Sequence, residues 1–89
     1  MELIKRKPRK IYKVVCVSWG DAFIETDDFT LEEAIKTQPI YRKTVGFLIC
    51  KNQYGYVLAT DLYEKESDGM SAKMFIPKGM ITEVKTLTY

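Results

Sequence analysis

The sequence predicts a mainly β fold: a five-stranded small barrel or strongly bent antiparallel sheet carrying one short helix. Three observations lead there. Apolar, β-branched runs of strand length recur along the chain, one segment alone carries a helix start signal, and glycines stand in mid-strand and at turns. At 89 residues, with 46% hydrophobic and 29% charged side chains, the chain has the size of a single domain and enough apolar surface to fold without disulfides or a metal.

Residues 1–10 read as a flexible basic arm and residues 11–89 as one small β-barrel domain. Six of the 14 basic residues (Lys5, Arg6, Lys7, Arg9, Lys10 and Lys13) fall in the first 13 positions against one acid, Glu2, which leaves a net charge of −3 on the rest. Such an arm can hold nucleic-acid phosphates by releasing their counterions, or serve as a solvated leader. Pro8 argues against a helix through it.

The first strand is expected over Ile11–Ser18, whose apolar side chains fall on both alternating faces, as suits a strand covered on both sides or curled into a barrel. Trp19-Gly20-Asp21 follows, where glycine permits a bulge or bend. Thr30 with Glu33 three residues on forms a capping box, acids fill the first turn, and Leu31, Ala34 and Ile35 share a face, so a helix of about two turns starts at Leu31 and stops before Pro39. Too short to hold alone, it is expected to pack on the sheet through those three residues as a lid or plug.

Beyond Tyr41 every signal is for strand. Arg42–Lys51, the turn Asn52–Gly55 and Tyr56–Tyr63 describe a hairpin, with glycine expected at a left-handed turn position. Gly46, in mid-strand, marks sharp curvature or the close approach of another backbone. Residues 64–71 form a loop, and Ala72–Ile76 with Met80–Leu87 make a last strand pair around Pro77-Lys78-Gly79.

The chemistry is chiefly exclusion. The chain has no histidine, so the commonest general base and metal ligand is missing, and its scattered glycines form no phosphate loop or dinucleotide fingerprint. Cys16 and Cys50 sit in apolar runs and read as a reduced, buried pair, with a disulfide between adjacent strands as the alternative. No metal site and no cofactor are expected. An enzyme would have to be built on the carboxylates Asp21, Glu25, Asp27 and Asp28, which serve equally as helix caps and turn formers. Exposed tyrosines beside Lys and Arg, Tyr54 and Tyr56 above all, can stack bases or contact protein, though tyrosine is also simply favoured in sheets.

Val17-Ser18-Trp19-Gly20-Asp21-Ala22, then Thr44-Val45-Gly46-Phe47-Leu48, Leu58-Ala59 and Ile76-Pro77-Lys78-Gly79-Met80-Ile81, resemble the layout of a family of small uncharacterised bacteriophage and prophage proteins. The layout covers most of the chain after the arm. Its opening, an aromatic, any residue, Asp, then Ser or Ala, is matched by Trp19, Asp21 and Ala22. The family's Gly-Trp before the helix is Asp28-Phe29 here, so Phe29 stands in the tryptophan's place. The order of strand, hairpin, short strand, Ile76-Pro77-Lys78-Gly79 and final strand also resembles Sm-like and SH3-like small barrels. Pro77 and Lys78 replace an arginine expected there, and the helix follows the first strand instead of preceding it.

The phage-like resemblance implies a non-enzymatic binding protein that intercepts a host factor or host signalling molecule, in counter-defence or host takeover. Trp19, Asp21, Phe29, Tyr54 and Tyr56 are its candidate binding residues, and a host protein or a small nucleotide-like ligand is the partner. The alternative is an Sm-like protein binding RNA or single-stranded DNA through the arm residues Lys5, Arg6, Lys7, Arg9 and Lys10 and the exposed tyrosines. A domain this small leaves much of its surface open, so a homo-oligomer is expected. No apolar run approaches the ~18 residues of a membrane span, which suggests a cytoplasmic protein that does not engage membrane.

Overall fold

A computed structural model describes residues 11–88; the ten-residue basic segment before them, and with it the expected arm, lies outside the described residues, as does Tyr89. The elements are β1 (Val14–Asp21), α1 (Leu31–Ile35), β2 (Ile40–Asn52), β3 (Gly55–Leu62), β4 (Met70–Pro77) and β5 (Ile81–Leu87), with single 3-10 turns at Glu66–Asp68 and Lys78–Met80. The five strands form one antiparallel sheet in the order β4-β3-β2-β1-β5.

The sheet turns on β2, which changes partner half-way. Its first half, Ile40 to Phe47, pairs with β1, and its second half, Phe47 to Asn52, pairs with β3. Gly46 stands at the changeover. A Cβ there would lie 3.0 Å from the Ala59 carbonyl oxygen and 3.4 Å from the Leu58 side chain, so the close approach of a neighbouring backbone is what glycine serves.

One face of β1 supplies most of the core. Val15, Val17 and Trp19 alternate inward and meet Leu58 of β3 and Ile76 of β4, with Leu48, Met74, Ile81 and Val84 closing around them. The intervening Val14, Cys16 and Ser18 are half-buried, so β1 is covered on one face rather than on both. The Trp19 indole N–H donates to Thr44 Oγ1 at 2.9 Å, which satisfies its one polar group. The strand begins at Val14 rather than Ile11 and runs on through Gly20 to Asp21, with a bulge against β5 between Ser18 and Trp19.

Three local expectations need correction. Gly55 does not take a left-handed conformation; among the described glycines Gly69 alone does, at φ 83°. The turn is closed instead by Asn52 Oδ1, which accepts from the backbone N–H groups of Tyr54 and Gly55 at 2.8 and 3.1 Å, and glycine is needed because a Cβ would overlap the Ile76 carbonyl. The last two strands are not a pair: β4 pairs with β3 and β5 with β1, so the Lys78–Met80 turn carries the chain from one sheet edge to the other, and the sheet is not closed. The cysteines are free, Cys16 half-buried opposite Val45 and Cys50 exposed opposite Val57, too far out of register for the adjacent-strand disulfide.

The helix is where the expectation fails most. Its cap forms as the residues dictate, with Thr30 Oγ1 accepting from the Glu33 N–H at 3.2 Å, although the Glu33 carboxylate receives the Thr30 hydroxyl instead of reaching back to the backbone. It does not pack on the sheet. Leu31 and Ile35 are 77% and 75% exposed, and α1 buries no residue. The reason is geometric: Asp21 and Ile40 face each other as the last rung of the β1–β2 ladder, so residues 22–39 leave and re-enter at one point and project beyond the strand ends.

Candidate functional site

At the root of that excursion lies a groove of about 550 Å³. Its walls come from five places: Gly20 and Asp21 at the end of β1, Ala22 and Phe23 leaving it, Pro39 and Tyr41 entering β2, Gly79 and Met80 of the 3-10 turn, and Thr82 of β5 behind. Register brings them together. Gly20 pairs with Tyr41, and a Cβ on Gly20 would stand 3.0 Å from the Pro39 ring and 3.6 Å from that of Tyr41, so glycine leaves the aromatic wall in place. Thr82 is fixed by its hydroxyl donating to the Ser18 carbonyl at 3.0 Å.

The charged residue lining the groove, beside the polar Thr37, Gln38 and Thr82, is Asp21, whose Oδ2 accepts from Arg42 Nε at 2.7 Å. The carboxylate is partly covered and the guanidinium half exposed, so the pair sits at the rim of the groove, where a charge-assisted bond of this kind still leaves arginine donors over for a ligand. Phe23 lines this groove and also a smaller recess of about 380 Å³ within the excursion, which Glu25, Phe29, Glu33, Ala34 and Thr37 complete.

The sequence-expected residues are thus divided. Asp21 lies in the groove and Phe29, 73% exposed, in the adjoining recess, while Trp19, 7% exposed, supports the groove from within the core. Tyr54, 67% exposed, caps the β2–β3 hairpin, where its carbonyl accepts from the Lys78 N–H at 2.9 Å and ties the hairpin tip to the turn that supplies Gly79 and Met80. Tyr56 lines a different opening, at the other end of β1. Asp21, Glu25, Asp27 and Asp28 are not drawn into one cluster, and among the described residues no three carboxylates or thiols form a metal-holding group.

Nothing local in the sequence marks Phe23, Pro39, Met80 and Thr82 as neighbours. They meet through the β1–β2 and β1–β5 registers, and the one usable signal was Gly20 within an otherwise β-branched and aromatic run. Among the described residues no helix is long and apolar enough to cross a membrane. No family model, curated protein or solved structure matches the chain.

Proposed function

We propose that this is a small non-enzymatic binding protein of phage or prophage type that intercepts a signalling molecule of the host, and that a nucleotide-like ligand occupies the groove at Asp21. The carrying observation is the groove itself: its volume falls in the 300–1,000 Å³ range of ligand sites, and it sets aromatic and apolar walls beside one carboxylate, Asp21, that Arg42 holds from outside the lining. A planar ring fits against Tyr41 and Phe23, its N–H or hydroxyl groups find Asp21, and an anionic substituent finds Arg42. With no histidine in the chain and the carboxylate lining the groove already held by Arg42, binding is a better match to these residues than acid–base turnover. We also read the bent sheet as an open barrel of Sm-like or SH3-like kind, an interpretation supported by the strand order and by the single turn linking the two edge strands.

The test is native mass spectrometry of the full chain purified from bacterial lysate, with any retained small molecule released and identified. A discrete ligand is expected, held about tenfold more weakly by Tyr41→Ala or Asp21→Asn at unchanged circular dichroism, as for contacts central to a binding site. A clean apo mass after expression in several hosts would overturn the reading.

A further inference from the structure

A second opening lies at the far end of β1 from the first. It has a volume of about 510 Å³, and Tyr12, Lys13, Lys51 and Tyr56 stand around it. Their positions are set by the sheet. The Lys13 carbonyl accepts from the Leu48 N–H at 2.8 Å, one rung beyond the start of β1, which fixes its backbone beside β2. Lys51 and Tyr56 face each other across the β2–β3 ladder, and the Lys51 ammonium rests 5.5 Å from the centre of the Tyr56 ring.

Val15, Leu48 and Val84 lie beneath these side chains, the exposed lining is more polar than apolar, and no carboxylate among the described residues lines the opening. The first groove, by contrast, holds Asp21 and lies under an excursion bearing Glu25, Asp27, Asp28, Glu32 and Glu33. In the sequence, Tyr12 follows closely on the segment containing Lys5, Arg6, Lys7, Arg9 and Lys10. Among the described residues, Lys13 and Lys51 thus stand with two tyrosine rings around one opening.

We propose that this opening is a binding site for single-stranded nucleic acid, with Lys13 and Lys51 taking backbone phosphates and the rings of Tyr56 and Tyr12 stacking on bases. Aromatic rings beside lysines are matched by the faces of unpaired bases, which a duplex keeps stacked inside, and by the phosphates that link them, and two lysines offer charge without the planar fork that would read one base. The site is independent of the groove at Asp21 and of the ligand proposed there.

Fluorescence anisotropy with labelled ten-nucleotide dT and U strands and the full chain provides the test. Log affinity should fall against log salt with a slope of about −1.4 or steeper, since each neutralised phosphate on a single strand contributes roughly −0.7. Lys13→Ala and Lys51→Ala should each make the slope shallower by about 0.7. Tyr56→Ala should weaken binding about tenfold or more with the slope unchanged, Tyr56→Phe should restore most of it, and Tyr41→Ala in the first groove should change nothing. Four results overturn the proposal: no binding at low salt; affinity indifferent to Lys13, Lys51 and Tyr56 but lost on deleting residues 1–10; equal affinity for a duplex of the same length; or displacement of the strand by a mononucleotide or inorganic phosphate at matching concentration, which marks a small-anion site.

Discussion

Strand β1 and the excursion that follows it are both rich in large apolar residues, yet one is the centre of the core and the other buries nothing. Val15, Val17 and Trp19 are inside because β1 is flanked by β2 and β5 and so presents one continuous face to β3 and β4. Ile24, Phe29, Leu31 and Ile35 are outside because residues 22–39 pair with no strand and meet the sheet only at the root of the excursion. What order the excursion has is local: the Thr30 cap, the Thr37 hydroxyl on the Glu33 carbonyl at 3.1 Å, and an exposed Lys36–Glu32 pair at 3.4 Å. Apolar side chains follow pairing, and composition alone does not decide which of them are buried.

The comparison is easiest to break at Trp19. Trp19→Ala removes the largest inward side chain and orphans the Thr44 hydroxyl, so chemical denaturation should show a loss of about 3–5 kcal/mol, a large share of the stability of a domain this size. A loss under about 1 kcal/mol would mean the core does not centre on β1. A smaller effect is expected from Gly55→Ala, whose new methyl must push the Ile76 carbonyl aside; about 1–3 kcal/mol should be lost, with amide exchange accelerating first along the β3–β4 ladder. The smallest belongs to the excursion. Leu31→Ser and Ile35→Ser together should leave the stability within about 0.5 kcal/mol of the parent, because both residues stay largely in water on folding. A drop of about 2 kcal/mol or more would show that α1 does pack on the sheet, and the contrast between the two regions would vanish.

Features set by neighbours in sequence were legible, and features set by register were not. The Thr30 cap and the Asn52–Gly55 turn depend on atoms a few residues apart, and both stand where the residues place them. Gly46 could be read because a glycine in mid-strand weakens the strand unless curvature or a close backbone requires it, and the Ala59 carbonyl is that close backbone. The separation of β4 from β5 could not, since a Pro-Lys-Gly segment suits a hairpin turn as well as a 3-10 turn leading to a distant edge. The position of α1 was misjudged for a related reason: three apolar residues on one face suggest a partner surface without locating one. At the site, Asp21 was visible from its place beside Trp19 and Gly20, whereas Tyr41 and Met80 join it only through the pairing of Gly20 with Tyr41 and of Trp19 with Ile81, and Arg42 reaches it through the pairing of Trp19 with Arg42. Of the two tyrosines flanking Gly55, Tyr56 lines the second opening, whereas Tyr54 lines neither and instead accepts from the Lys78 N–H through its carbonyl.

The rung formed by Asp21 and Ile40 has a consequence for how such a chain can change over generations. Because the two ends of residues 22–39 meet at a paired position of the sheet, closing that loop is work done by the ladder, and doubling the loop's length adds only about 0.6 kcal/mol to the cost. Insertions, deletions and wholesale replacement there leave every buried contact of the sheet intact. The groove's outer wall, Phe23 included, is thus free to vary, while Gly20 and Tyr41, paired in the ladder, hold the inner wall to a fixed frame.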